Sequence, residues 1–423
     1  MRLGLLGRGV GDAIFLSECG AKVLVTDLKT EEQLKESLKK LAKYKKPAKG
    51  RASIKYVLGE HRLEDFQNCD MVLKAAGVPL DSIYIQEARK NGISVEMSAT
   101  LFAKFSGIPM IGVTGTRGKS TVTHLIAHIL KTAGKKLILG GNVRGVSNLQ
   151  LLKNAEKADI AVFELDSWQL QGFGESRISP HIAVFTNLMQ DHMNYYVNDS
   201  KKYFLDKSYI YKFQQEKDVL VLGPQMKGKI KDAKSKIING DVKKIPKNWK
   251  LNLQGEHNLE NIACALEVAE FLKVPEKVIK KAVENFKTMP GRLELVKHWH
   301  GVKIYNDTNS TTPDAVIAAL KSFSEKVILI MGGMDKGSSV DDLIKILPKK
   351  TKSIFLTPGS GSDKVNYKQA KKVLNLKEAV SKAMKEAKRG DIILFSPGFA
   401  SFNMFKNEYD RGDQFLSIVK GLK

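Results

Sequence analysis

Short apolar runs alternate with amphipathic helical patterns along this chain, and that alternation restricts it to α/β folds built on parallel sheets. A strand buried on both faces reads as an unbroken apolar run, and reaching a parallel neighbour requires a crossover, usually a helix. The clearest instance is the predicted strand Met110–Val113, followed by a glycine-containing loop. Val122, Leu125, Ile126, Ile129 and Leu130 then recur on one helical face. Further predicted strands are Leu3–Leu6, Lys22–Thr26, Ala158–Leu165, Ile182–Thr186, Asp218–Leu222, Val302–Tyr305, Val327–Met331, Ser353–Leu356 and Ile392–Phe395. A helix with Leu259, Ile262, Leu266 and Ala269 inward follows the fifth of these.

At 423 residues the chain exceeds what one ordinary core supports. Breaks near Gly107-Ile108-Pro109 and Thr288-Met289-Pro290-Gly291 divide it into three predicted α/β domains. These are a Rossmann-like unit (1–106), a central parallel sheet (107–288) and a second Rossmann-like unit (289–423). Lys and Arg outnumber Asp and Glu by 69 to 45, a formal charge of +24 that suits polyanionic partners. The runs Lys35–Arg51 and Lys227–Lys250 lack regularly interleaved aromatics, so they read as solvated surface, and no nucleic-acid partner is expected. Cys19, Cys69 and Cys264 lie far apart and imply neither a disulfide framework nor a zinc site. Met1–Gly7 breaks into glycines after a short apolar run, which reads as a buried strand rather than a signal peptide. No apolar run reaches the length of a membrane-spanning helix, and a soluble, cytoplasmic protein is the expectation.

Gly115-x-x-Gly118-Lys119-Ser120 lies between strand and helix, the setting a phosphate loop requires. Glycines let backbone N–H groups close around phosphate oxygens, and the helix N-terminus adds a favourable dipole. Lys119 would neutralise phosphate charge and Ser120 would ligate Mg²⁺. The strict eight-residue pattern fails at its first glycine, where Val113 stands. A weaker signal opens the chain: the turn Gly7-Arg8-Gly9-Val10-Gly11, a helix through Leu16, and a strand ending on Asp27. Asp12 replaces the third glycine of that fingerprint, so a nucleotide site and a tight turn with no ligand both fit.

Thr114-Gly115-Thr116-Arg117-Gly118-Lys119-Ser120-Thr121 resembles the T-G-T-N-G-K-S/T loop of the muramyl (Mur) ligases and their relative folylpolyglutamate synthase. The resemblance continues in order. Phe163–Leu170 is similar to the segment with the family's magnesium-binding glutamate, and Thr186–Met193 to its N-x-x-x-D-H-M/L segment. Tyr203–Lys207 resembles the helix with the carbamylated lysine, and Gly255–Asn261 the adenine-side G-x-H-N-x-x-N helix. Gly291-Arg292-Leu293-Glu294, Tyr305-Asn306-Asp307-Thr308 and Ser396–Asn407 with Arg411-Gly412 resemble the branch that adds D-glutamate to UDP-N-acetylmuramoyl-L-alanine.

The resemblance implies ATP, two Mg²⁺ ions and an acyl-phosphate route to an amide, in a monomer that makes peptidoglycan precursors. It places Gly115, Thr116, Arg117, Gly118, Lys119, Ser120 and Thr121 around the phosphates, and Asn258 and Asn261 at the adenine. Arg292 and Asp307 would clamp phosphate and ribose. Lys119, Glu164, His192 and Lys207 form the implied catalytic set, with Ser120, Glu164, His192 and Lys207 at the metal. An ammonium cannot ligate a cation, so Lys207 would act as a carbamate; the bland alternative is one more surface lysine. Glu164 has the alternative of a solvent-facing strand end, and His192 that of a hydrogen-bonding neighbour. Thr311, Lys336, Ser401 and Glu408 fall at the amino acid, and Gly9, Val10, Asp27 and Asn142 at the sugar nucleotide.

Four departures bear on these roles. Arg117 stands for the usual Asn, Asn309 for a lysine, and Glu408 for an aromatic, while Lys74-Ala75-Ala76-Gly77-Val78-Pro79 lacks the Ser-Pro of an S-P-G-V/I-P loop. Competing readings are a sibling muramyl ligase, folylpolyglutamate synthase, or a P-loop nucleic-acid-binding ATPase. The last is favoured only by charge and gives no account of Ser396–Asn407.

Overall fold

The computed structural model describes residues 8–192, 195–253, 255–402 and 404–422. The predicted first strand (residues 3–6) and the head of its glycine turn lie outside the described residues, as do Met193 and Asn403 of the matched segments. The chain divides into two units. Met1–Gln190, Asp199–Ile245 and Asn261–Val283 form the first, and Asp191–Asn198, Pro246–Glu260 and Glu284–Lys423 the second.

In the first unit, β1 (Val23–Asp27) pairs in parallel with β2 (Ile54–Leu58), and β3 (Met71–Leu73) with β4 (Ser94–Glu96). The helix Arg8–Glu18 packs Val10 and Ala13 against Val25, Leu41 and Tyr44. Because this helix already begins at Arg8, Gly9 and Val10 occupy its first turn rather than a turn before it, a correction to the sequence reading. Gly11 serves close packing here, since a Cβ on it would stand 2.5 Å from the Ser147 Cβ.

A six-stranded sheet follows, made of β5 (Met110–Thr114), β6 (Leu137–Gly141), β7 (Ile160–Glu164), β8 (Ile182–Phe185), β9 (Val219–Leu222) and β10 (Lys236–Asn239). All its pairings are parallel, in the order β10-β9-β8-β5-β7-β6. Strands β5, β7, β8 and β9 are buried throughout, which is why their sequences show no polar alternation. From β5 the chain runs out to β6, returns to β7 and then crosses to β8, so the strand order reverses around β5. Ligands of open α/β sheets bind beyond the carboxyl ends of strands at such a reversal. The helix Lys119–Thr132 buries Val122, Leu125, Ile126, Ile129 and Leu130 to 1% exposure or less, the stripe read from the sequence.

The second unit holds β11 (Glu294–Trp299), β12 (Val302–Asn306), β13 (Val327–Gly332), β14 (Thr351–Thr357), β15 (Ala370–Lys372) and β16 (Ile392–Gly398), ordered β11-β12-β16-β13-β14-β15. Only the β11–β12 pairing is antiparallel among these described strands. Ile328, Ile330, Phe355 and Ile393 pack on one face, and Leu329, Met331, Ile354 and Leu394 on the other, so helices cover both. Strand β16 runs three residues beyond its predicted end, carrying Ser396-Pro397-Gly398 into the sheet. No described helix is long and apolar enough to cross a membrane.

Candidate nucleotide-binding and catalytic site

The loop after β5 is held from several sides within the first unit. Gly115 has φ +140°, and a Cβ there would fall 1.9 Å from the Thr186 hydroxyl. Gly118 has φ +81°, and a Cβ would fall 2.1 Å from the side-chain oxygen of Asn261. Only glycine combines these angles with such close neighbours. Thr186 and Asn187, just beyond β8, supply most of the loop's partners. The Thr186 hydroxyl donates to the Arg117 carbonyl at 2.6 Å, the Arg117 N–H donates to Asn187 Oδ1 at 2.8 Å, and the Thr116 N–H donates to the Asn187 carbonyl at 3.0 Å. Arg117 makes these bonds with its backbone, so its departure from the family's Asn leaves the loop's framework intact.

Two lysines converge on one oxygen of this loop. Lys119 Nζ donates to the carbonyls of Gly115 and Thr116, both at 3.0 Å. Lys207 Nζ, from the helix Ser200–Ser208, donates to the same Gly115 carbonyl at 2.8 Å and lies 4.8 Å from the centre of the Tyr203 ring. Lys207 is 1% exposed, which overturns the surface-lysine alternative. The Tyr203 hydroxyl lies 3.2 Å from Thr116 Oγ1.

Glu164 ends β7 between Val113 and Gly141 and is buried, so it is not a solvent-facing strand end. Asn142 reaches it twice. Its N–H donates to the Glu164 carbonyl at 2.7 Å, and its side-chain amide lies 3.5 Å from Glu164 Oε1. Arg8 Nη1 donates to Asn142 Oδ1 at 2.8 Å, linking the head of the first helix to the glutamate's neighbour. Gly9, Val10 and Asn142 are thus brought to one corner. Asp27 is fully buried, and its carboxylate accepts from the Lys29 N–H at 3.1 Å, while Thr26 and Leu28 on either side line a cavity of about 280 Å³.

The donors at the loop fit Mg²⁺, which favours hard oxygen ligands and takes few of them from protein. Ser120 lies in the first turn of the loop's helix and Glu164 on the adjacent strand end. No three His, Cys, Asp or Glu side chains gather as a metal cluster among the described residues. Phosphate oxygens and further oxygen donors would therefore have to supplement these two.

In the second unit, His192 has φ +56°, and its N–H donates to Asp191 Oδ1 at 2.9 Å. Asn258 is buried, three residues before Asn261 on the helix Glu256–Phe271. Asp307 is buried among internal donors: Leu293 N–H reaches Oδ1 at 3.1 Å, and the Ser396 and Ser310 hydroxyls reach Oδ2, the former at 2.8 Å. Burial outweighs these bonds and pushes its carboxyl up to about 6. Arg292 sits beside Leu293, so the two nucleotide-clamp segments share one corner.

Of the residues expected at the amino acid, Lys336 and Thr311 are in contact. Lys336 Nζ lies 3.4 Å from Thr311 Oγ1, and paired backbone bonds of 2.8 and 2.9 Å tie Met334 to Ala400, next to the buried Ser401. The Glu408 carbonyl accepts from Thr308 Oγ1 at 3.1 Å. Arg411 fastens this corner by donating to the carbonyls of Phe399 at 2.9 Å and Thr308 at 2.8 Å. Sequence reasoning did not single out Thr186, Asn187, Tyr203 or Arg411 as site residues. For Thr186, Asn187 and Tyr203 the signal was position, directly after a strand or one helical turn before Lys207, and Arg411 stood in the matched Arg411-Gly412 pair without a role of its own.

The Mur ligase middle domain model matches residues 113–245, and the model for the Mur ligase glutamate ligase domain matches 291–399. The chain is 34% identical to UDP-N-acetylmuramoylalanine--D-glutamate ligase of Roseiflexus sp. (strain RS-1), over 99% of this chain and 97% of that one. It is 32% identical to the protein of that name from Clostridioides difficile (strain 630), over 100% and 98%. Among solved structures, UDP-N-acetylmuramate-alanine ligase MurC from Thermotoga maritima superposes with a TM-score of 0.64 at 18% identity, covering 100% of this chain and 98% of that one. MurF ligase from Thermotoga maritima in complex with ADP gives 0.62 at 18% identity, over 84% and 97%. These folds are alike, and end-to-end identity above 30% decides kinship: the chain belongs to the Mur ligase family.

Proposed function

We propose that this chain is an ATP-dependent ligase that joins D-glutamate to UDP-N-acetylmuramoyl-L-alanine in peptidoglycan precursor synthesis, organised as domains 1–106, 107–288 and 289–423. One observation carries the reading: Lys119 and Lys207 meet at the Gly115 carbonyl of a phosphate loop, in a chain a third identical throughout to ligases of that name. The alanyl carboxylate attacks the γ-phosphorus of ATP, giving an acyl phosphate and ADP. The amine of D-glutamate then attacks the acyl carbon, phosphate leaves, and the amine loses a proton to yield the amide.

Gly115 through Thr121 enclose the phosphates, and Lys119 swings from its carbonyls to the charge that develops on the transferred group. Mg²⁺ supplies further neutralisation of that charge. Ser120, Glu164 and His192 would hold it, with Lys207 contributing as a carbamate. Carbamylation of Lys207 takes one proton from the ammonium, forms an N–C bond from the free amine to CO₂ and releases a second proton, which replaces a buried cation beside Lys119 with anionic oxygen donors. Asn258, Asn261, Arg292 and Asp307 serve the nucleotide, and Thr311, Lys336, Ser401 and the Glu408 backbone serve D-glutamate. Gly9, Val10, Asn142 and the cavity beside Asp27 serve the sugar nucleotide, the cavity taking the uracil end. The protein acts as a cytoplasmic monomer.

The test is phosphate release from purified protein with ATP, Mg²⁺ and UDP-N-acetylmuramoyl-L-alanine, offering each amino acid in turn. D-glutamate alone is expected to sustain turnover. Equal turnover with L-glutamate, or with no amino acid, would sink the assignment.

A further inference from the structure

Lys74 follows β3 and belongs to none of the roles above, yet it is 5% exposed and lines the cavity beside Asp27. Its ammonium turns back under its own loop and donates to the carbonyls of Val78 at 2.6 Å, Ala76 at 3.0 Å and Ala75 at 3.4 Å. Its backbone N–H anchors the loop to β4 through the Glu96 carbonyl at 2.8 Å. An ammonium has three N–H donors, and here three carbonyls meet them. Because a trans peptide points its C=O and N–H in opposite directions, the inward Ala76 carbonyl turns the Gly77 N–H away from the ammonium. On its far side the loop rests on the central sheet's helix Ser167–Glu175: a Cβ on Gly77 would be 3.7 Å from the Trp168 ring.

We infer that Lys74 is a positioning residue for the sugar nucleotide, its buried ammonium clamping residues 75–79 in the shape that walls the uracil end of the site. The inference rests on the sugar-nucleotide reading given above. A loop without the family's Ser-Pro has lost a proline that would restrict its backbone, and an internal cation with three carbonyl acceptors supplies rigidity by another route. The clamp depends on charge. A neutral amine keeps two N–H donors and aims a lone pair at the third carbonyl. Burial pulls the Lys74 ammonium down to about 8, with Arg89 pushing the same way and Asp166, Glu175 and Asp206 opposing. The clamp is therefore charged at pH 7 and loses its proton as pH rises through about 8.

The probe is UDP, whose binding does not depend on which amino acid the enzyme uses. Calorimetry on the full chain is expected to show UDP affinity at least tenfold weaker in Lys74→Met, with ADP affinity within twofold of wild type. In the wild type, UDP affinity is expected to fall several-fold from pH 6.5 to 8.5, and Lys74→Gln should be weak and flat over that range. Equal UDP affinity in wild type and Lys74→Met, or a flat wild-type profile, overturns the clamp while leaving the ligase reading intact. If Lys74→Met fails to fold, the wild-type and Lys74→Gln pH profiles decide. A wild type that binds ADP but not UDP overturns the sugar-nucleotide reading and the clamp with it.

Discussion

Two loops of the first unit solve the same backbone problem with a lysine. Lys119 lies over the Gly115 and Thr116 carbonyls, and Lys74 lies under those of Ala75, Ala76 and Val78. They differ in burial and in their glycines. Lys119 is partly exposed at the head of a helix, where an arriving phosphate can draw it off its carbonyls. Lys74 is enclosed, so its carbonyls are its standing partners. Gly115 and Gly118 have positive φ and no room for a Cβ, whereas Gly77 has ordinary φ and only van der Waals contact. On the proposed reading, one lysine is a charge held ready for a substrate, and the other is part of the scaffold. The lysine–carbonyl bonds alone do not separate them; access to solvent and the glycine geometry do.

The largest expected effect is at the partly exposed Lys119. Lys119→Ala should lower kcat by roughly 10³-fold, since a preorganised charge at the phosphates is lost. The melting temperature should stay within a few degrees of wild type, because the carbonyls it leaves can turn to water. Near-normal turnover would make Lys119 a scaffold residue like Lys74.

Lys207 is as buried as Lys74 but meets the phosphate loop, so it tests whether enclosure always means scaffold. If its carbamate is the working form, Lys207→Arg and Lys207→Ala should both be nearly inactive. Acetate or formate should partly restore the alanine variant by supplying oxygen donors in the vacated space, and chloride at matched ionic strength should not. Full activity of Lys207→Arg without added carboxylate refutes the carbamate.

The glycines give a smaller, paired effect. Gly118→Ala must place a side chain at φ +81° and against Asn261, which costs about 1–2 kcal/mol in backbone strain before the clash is relieved. ATP affinity should fall at least tenfold. Gly77→Ala should change stability by less than about 0.5 kcal/mol, as an unstrained substitution away from a clash. If both glycines tolerate alanine equally, the phosphate loop is not held as tightly as its contacts require.

The smallest effect concerns Asp307 in the second unit, whose carboxyl is raised by burial to about 6. A raised carboxyl favours folding while protonated, and that stability is lost as pH climbs from the unfolded value through about 6. Asp307→Asn should flatten the part of the melting-temperature profile between about pH 4 and 6 that this group causes. An unchanged profile would show that the carboxylate is better solvated than its surroundings require.

The fold was largely legible because its signals are local. Continuous apolar runs could only be doubly covered strands, and the stripe from Val122 to Leu130 could only be one helix face. The glycines at 115 and 118 announced a phosphate loop because its backbone angles are a property of the residue itself. Much of the assignment to roles came from family likeness, which places residues in order without saying what touches them. At 9–11 the local signal misled: glycines that read as a turn lie within a helix, where Gly11 allows a close approach to Ser147, a contact 136 positions away that no local pattern contains.

What the chain determined by itself was periodicity, loop chemistry and the sites where only glycine fits, since each depends on a few neighbouring residues. Tertiary structure decided which of many lysines are buried and what their ammonium groups meet. In a chain with 69 basic residues, neither Lys74 nor Lys207 differs in type from any other lysine. Their meaning arises when β3 sinks one beneath its own loop and a helix about 90 residues downstream of the phosphate loop brings the other to Gly115. Burial strips each ammonium of water, and the carbonyls that replace that water come from wherever the fold has put them.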